Sequence, residues 1–311
     1  LAYGPLSSSR WGIKGKEDLG GGYGAFFALE SEVHNDTGYA GGNNKTGSGA
    51  GDVYWKRKSI IGMKIPAGKV SFGLNKTTDK VLASKYDMIG SNFAGFKTMS
   101  DYIAIGDRID NGIFFESNKI DGLGGKFYLD HQFGEVAGES SGNTRTGVGA
   151  TFKVAGINGF VAYSEAKGST GSSDWDQYGF GVSYKTDNKI VIKAQYWDLS
   201  AESNADSTSG LGYSADGEGY SLSVMGPISK HTKIGLGFHS SEQSDNEAEK
   251  IEMTQLAMLH SFSKKVTGYV MVGNLDNGAS ANHELHKKGF SSQPANGGDQ
   301  DGFAVGLRIK F

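Results

Sequence analysis

The stretch Gly302-Phe303-Ala304-Val305-Gly306-Leu307-Arg308-Ile309-Lys310-Phe311 decides how the rest of the chain is read. Phe303, Val305, Leu307, Ile309 and Phe311 alternate with Ala304, Gly306, Arg308 and Lys310, so a strand here sends apolar side chains to one face and small or cationic ones to the other. A sandwich could bury such a strand. An apolar face that ends on an aromatic, with Arg308 and Lys310 turned inward, is what a lipid-facing barrel strand requires.

Working back from that strand, the same alternation recurs. Gln177 to Lys185 sets Tyr178, Phe180, Val182 and Tyr184 against Gln177, Gly179, Gly181 and Ser183, and Lys189 to Trp197 answers it with Ile190, Ile192, Ala194 and Tyr196. Further strands are expected at Arg10 to Lys16, Tyr23 to Glu32, Val53 to Ile65 and Lys69 to Asn75. Others follow at Ile109 to Ser117, Gly125 to Phe133, Gly147 to Val154, Gly159 to Glu165, Gly219 to Met225, Lys233 to His239, Ile251 to Phe262 and Val266 to Leu275. That makes about fifteen from Arg10 onward. With Leu1-Ala2-Tyr3 as the remnant of one more, and the even-number preference of such barrels, the expected total is about sixteen.

The connections alternate in length. Thr186-Asp187-Asn188, Gly226 to Thr232 and Ser263-Lys264-Lys265 are short, whereas Ser200 to Glu218, Ser240 to Lys250 and Asp276 to Asp301 are long and polar. Short turns on one rim and long loops on the other describe an all-β, antiparallel, up-and-down transmembrane barrel of the outer-membrane type, a single unit over residues 1–311. Pro66 and Pro227 fall in short turns and Pro5 and Pro294 in loops, so no proline has to sit in a ladder.

Composition agrees. Glycine is abundant (49 of 311 residues) and proline scarce (4), which suits many short strands with tight turns; the absence of a three-residue period excludes collagen and the 11% aromatic content excludes disorder. Mean hydropathy is −0.39 and no apolar run reaches the ~20 residues of a spanning helix, a test that is blind to barrels because only every second residue meets lipid. A net charge of −3 argues against nucleic acid as a partner. Cysteine is absent, in keeping with an exported protein stabilised by a closed hydrogen-bond network. No signal peptide is visible, so the sequence reads as a processed form.

Residues Lys76 to Gly106 are the longest stretch without clear alternation, and long loops inside compact proteins are usually functional. They mix apolar residues with Asp79, Asp87, Asp101, Lys80, Lys85 and Lys97, and Asp107 follows at once.

These residues together resemble the general porins of Gram-negative bacteria, most closely the neisserial and beta-proteobacterial type. Ser9-Arg10-Trp11-Gly12-Ile13-Lys14-Gly15-Lys16-Glu17-Asp18-Leu19-Gly20-Gly21-Gly22 is similar to that family's opening motif. Lys56 to Met63 and Gly68 to Gly73 resemble its fourth and fifth strands, and Arg108 to Ile113 the strand after the constriction loop. Phe262-Ser263-Lys264-Lys265 and Phe311 resemble its closing hairpin. The chain departs from the family at its start, where a full strand precedes the residue matching Ser9. The resemblance implies a sixteen-stranded homotrimeric barrel in the outer membrane, among lipids and lipopolysaccharide, passing ions and small hydrophilic solutes. It implies no enzyme activity and no cofactor, and it assigns residues 76–106 as the third loop, folded into the pore.

In related anion-preferring porins a basic arginine cluster faces that loop, and the matching positions are Arg10, Arg57 and Arg108. Alternation agrees for Arg10. At Arg57 it disagrees, because Ser59, Ile61 and Met63 share its parity and read as lipid-facing; Lys56 and Lys58 would then line the lumen, unless a bulge intervenes. The expected wall is thus Arg10, Lys14, Lys16, Lys56, Arg57, Lys58 and Arg108, facing Asp79, Asp87, Asp101 and Asp107 on the loop. Opposed rows of charge would orient dipolar solutes, and the surplus of cations would give a modest anion preference. A channel with a specific solute site and a closed-lumen adhesin barrel are the alternatives.

Other motifs have plainer readings. Gly20 to Ala25 matches a dinucleotide fingerprint, but no helix follows, so it is a turn. Asp130-His131 is similar to the Asp-His pair of omptin proteases, yet adjacent strand residues point to opposite faces. His283 and His286 share a loop that could hold a metal weakly. Asp245, Glu247 and Glu249 could hold a structural calcium or bridge lipopolysaccharide through cations. Trp55, Trp175 and Trp197 near strand ends read as interfacial girdle residues, with a sugar slide as the sharper alternative.

Overall fold

The computed structural model describes residues 4–41, 54–99, 103–105, 108–134, 142–168, 174–201, 215–243, 246–286 and 294–311. They form one sheet of fifteen antiparallel strands in sequence order. The first five are β1 (Arg10–Gly20), β2 (Tyr23–Glu32), β3 (Lys58–Ile65), β4 (Gly68–Lys76) and β5 (Arg108–Ser117). Then follow β6 (Phe127–Gln132), β7 (Arg145–Val154), β8 (Ile157–Lys167), β9 (Asp174–Lys185) and β10 (Val191–Ala201). The last are β11 (Gly217–Pro227), β12 (Thr232–Gln243), β13 (Asn246–Ser261), β14 (Val266–Asn277) and β15 (Gln300–Ile309). β1 and β15 are the ends of the ladder, and no pairing joins them among the described residues. Leu1 to Tyr3, expected as the remnant of a sixteenth strand, lie outside the described residues.

The alternation read from the closing stretch holds in space. Phe303, Val305, Leu307 and Ile309 are exposed on the outside, while Ala304 is buried inside. Phe180, Val182 and Tyr184 are likewise exposed and Gln177 is buried. A continuous apolar outer surface of this kind is tolerable only where lipid covers it. Gly20, Gly21 and Gly22 all have positive φ, so the stretch resembling a nucleotide fingerprint is a tight turn from β1 into β2.

Two boundaries differ from expectation. β3 begins at Lys58, not Val53, with a turn over Tyr54 to Arg57 before it. Ser240 to Lys250, expected as a long loop, is mostly strand, since the β12–β13 ladder continues to Gln243 and Asn246. Its charges made it read as a loop, but alternating charged residues can equally extend a hairpin above the membrane.

Inside the sheet, an apolar core occupies one side. Residues 77–99 and 103–105 enter the lumen as α1 (Thr78–Tyr86), a short 3-10 turn (Phe96–Thr98) and irregular segments. The Thr77 side chain caps α1 by accepting from Lys80 N at 3.2 Å. Leu82, Phe96, Met99, Ile103 and Ile105 of this loop are fully buried against Tyr128, Phe160, Trp197, Met253, Met271 and Leu275 of the wall. Trp175 and Trp197 therefore point inward, at 4% and 0% exposure, and are not girdle residues. Trp197 sits opposite Gly179, where any Cβ would strike the indole. A second segment, from Gly278 to His286, folds onto the same core: Ala94 N donates to Leu285 O at 3.0 Å, and Ala281 and Leu285 are buried.

Candidate functional site: the lumen wall left uncovered

A loop buried inside a barrel must find partners for its own backbone polar groups. Inward side chains of β6 to β13 supply them. Gln177 Oε1 accepts from Ala104 N at 2.6 Å, Gln195 Nε2 donates to Ala83 O at 3.3 Å, and Gln255 Nε2 donates to Ser91 Oγ at 2.7 Å and to Phe93 O. Lys193 Nζ donates to Asp87 O at 2.7 Å and Lys85 O at 2.9 Å.

The strongest attachment is ionic. Arg145 of β7, buried, reaches Asp79 Oδ2 at 2.6 Å with one nitrogen and Asp130 Oδ2 with the other. Asp79 Oδ2 also accepts from Ser164 Oγ at 2.6 Å, and Asp130 Oδ1 accepts from Thr78 N at 2.6 Å. Burial, opposed by Arg145, holds the Asp79 carboxyl above the ordinary carboxylate range. Asp130 thus serves as a loop anchor, and its neighbour His131 points away to Thr146 Oγ1, 2.9 Å distant on the other face.

This network corrects the expected acidic row. Asp79 and Asp87 are both fully buried, turned from the lumen into the packing between loop and wall, so neither faces the basic residues. A loop carboxylate is readily read as solvent-facing. Its buried cation, Arg145, opens an inner strand face that continues with Gly147 and Gly149, and a long cation beside two glycines was the available signal. Asp101 and Asp107 lie outside the described residues.

The basic wall lies on the other side of the lumen, on β1 to β5. The apolar core takes no inward side chain from these strands. Arg57 settles the parity conflict without a bulge, since it precedes β3 and its side chain is not bound by strand alternation. It turns inward, with Nε donating to Glu30 Oε1 at 2.8 Å and Nη1 lying 3.7 Å from Glu32 Oε2. Arg10 Nη1 is 3.7 Å from the same Glu30 oxygen, and Lys56 Nζ is 3.5 Å from Glu32 Oε2. Arg108 Nε donates to Arg57 O at 2.6 Å, which brings the third arginine to the cluster. Lys58, first residue of β3 and directly opposite Glu30, joins it. Among the described residues, Arg10, Lys56, Arg57, Lys58 and Arg108 thus gather around the carboxylates Glu30 and Glu32 of β2, which the expected wall did not include. Lys14 and Lys16 continue the same face of β1 and are exposed.

The remaining candidates sit elsewhere. His283 and His286 are buried in the inward-folded segment, His286 beside Phe93. Glu247 and Glu249 lie on β13 and Asp245 is outside the described residues. Trp55 meets Trp11 at a tilt (ring centroids 5.3 Å apart) and Tyr54 edge-on (4.9 Å) just before β3.

Comparison with known proteins gives a consistent result. A model described as Gram-negative porin matches residues 3–280. The outer membrane porin protein 32 of Delftia acidovorans is 26% identical, over 98% of this chain and 85% of that one. Among solved structures, the anion-selective porin from Comamonas acidovorans superposes with a TM-score of 0.84 at 21% identity, covering 100% of this chain and 92% of that one. In-vitro folded OmpT of Vibrio cholerae, in its trimer form, superposes with a TM-score of 0.68 at 15% identity, covering 97% and 91%.

Proposed function

Because the chain belongs to the Gram-negative porin family and forms an outer-membrane channel, we propose that the passage runs along the β1 to β5 wall and favours anions. The observation that carries this reading is the imbalance of that wall among the described residues: three arginines and two lysines gathered around Glu30 and Glu32, with Asp79 and Asp87 of the loop withdrawn from the lumen. No covalent step is involved. Solutes are selected by the width left beside the loop and by the net positive field of the wall. Screening over ~8 Å at physiological salt limits that field to solutes passing close to the wall. The likeness to the Comamonas anion-selective porin supports the sign of the preference, and the likeness to the OmpT trimer supports a homotrimer.

The test is the zero-current potential of the refolded protein in a planar bilayer under a KCl gradient. Anion preference with conductance rising in three equal steps is expected. Cation preference overturns the selectivity, saturating block by one solute favours a specific channel, and silence favours a closed barrel.

A further inference from the structure

Below the arginine cluster, towards the short-turn rim, the same wall carries a second group of cations. Lys64 of β3 and Lys69 of β4 are directly opposite each other in the ladder, both exposed and both on the inner face. No ion pair reaches either of them among the described residues. Glu116, the inner residue opposite Lys69 on β5, is taken by Lys126 Nζ at 2.5 Å. Asp18, next in the row beyond Gly24, accepts from Gly20 N at 2.9 Å in its own turn.

We propose that Lys64 and Lys69 form an exit station for small dianions, a dicarboxylate or hydrogen phosphate, distinct from the arginine cluster. The inference rests on the channel reading above, and it names a solute class. Like charges directly opposite across two strands repel and destabilise the ladder, so the pair has a cost when empty. Opposite residues place their Cβ atoms ~4.5–5.5 Å apart, and two flexible lysine stems can bring both ammonium groups onto one ligand. A dianion satisfies both at once, whereas a monovalent anion relieves only one. Along β3 the pair is also remote from the cluster. Lys58 and Lys64 are separated along β3 by roughly 20 Å, more than twice the ~8 Å screening length, and inner positions between them are Ile60 and Gly62.

The experiment compares the wild-type channel with K64Q/K69Q in KCl, adding succinate, hydrogen phosphate or acetate on the short-turn side. We expect succinate and phosphate to reduce the chloride current of the wild type, and the half-effect concentration to rise about tenfold in K64Q/K69Q, which corresponds to ~1.4 kcal/mol. Acetate should not distinguish the two proteins, and K64R/K69R should restore the wild-type response. Equal sensitivity of the wild type and K64Q/K69Q to both dianions overturns the proposal, as does an equal loss with acetate. A response to only one of the dianions keeps the station and fixes its ligand. Cation preference of the wild type in plain KCl, by contrast, overturns the anion preference on which this proposal rests, and is measured before any dianion is added.

Discussion

The two sides of this lumen are built from the same alternating strands but solve opposite problems. On β6 to β15 the inward residues include Phe160, Trp197, Met253, Met271 and Leu275, all buried beneath the folded-in loop. On β1 to β5 they include Arg10, Lys14, Lys16, Lys58, Lys64 and Lys69 beside Phe26, Ile60 and Phe114, and the apolar core beneath the loop takes in none of them. A strand pattern settles only which residues share a face. What meets the inner face, water or a loop, is set by side-chain size and charge, and here that divides the barrel into a filled side and an open one, which we propose is the conducting side. The division predicts that substitutions on the filled side disturb stability first, and those on the conducting side disturb selectivity with little effect on stability.

The largest effect should come from Arg145→Ala, which leaves Asp79 and Asp130 as buried carboxylates without their shared cation. Breaking a buried ion pair from one side costs about 3–5 kcal/mol. We expect a marked drop in the unfolding transition in detergent, together with protease cleavage within residues 77–107. Met271→Ala should follow, at about 2–5 kcal/mol for a cavity in the core, read from the same transition. Gly149→Ala is expected to cost about 1–3 kcal/mol by overpacking, since its Cβ would lie 2.7 Å from Leu82 Cδ1 and 2.8 Å from Thr78 Cγ2. Unchanged loop stability in that variant would show that α1 is not seated firmly on β7.

On the conducting side, Arg10→Gln should cost only about 1 kcal/mol, because its contact with Glu30 is long and partly exposed and what remains are its hydrogen bonds to Ser8 O and Ser7 Oγ. It should nevertheless move the zero-current potential measurably towards zero. The smallest effect concerns pH. The folded pKa of Asp79 is raised by burial above its ordinary value, so the native state takes up this proton before the unfolded one does. The contribution of this group to stability therefore falls as pH rises through that interval and is regained in acid. Lowering the pH from neutral to about 5 should not release the loop through Asp79, and single-channel current noise should stay constant over that range.

Much of the fold was legible. Alternation at Gly302 to Phe311 and its repeats located fifteen strands, because lipid and lumen impose the strict two-residue period that soluble sheets only approximate. Less of the site was legible. Arg10 and Lys58 followed from parity, whereas Arg57 could not, since a residue one position outside a strand is free to turn either way. The inward tryptophans were hidden by the rule that large aromatics near strand ends lie at the lipid interface. The anchoring role of Arg145 depended on a contact 66 residues away in sequence, which no local pattern encodes. Gly278 to His286 read as a polar rim loop, and only the packing of Ala281 and Leu285 beside residues Phe93 and Ala94 shows that it folds inward.

The division of the lumen can be measured directly because the chain contains no cysteine. Lys14→Cys on the conducting side and Met271→Cys on the filled side would be exposed in turn to an anionic methanethiosulfonate during bilayer recording. The account predicts rapid modification of Lys14→Cys with a stepwise fall in chloride current, and no reaction at Met271→Cys. Equal modification of both would contradict it, because the side of the barrel beneath the loop would then be as open to water and ions as the side bearing the arginines.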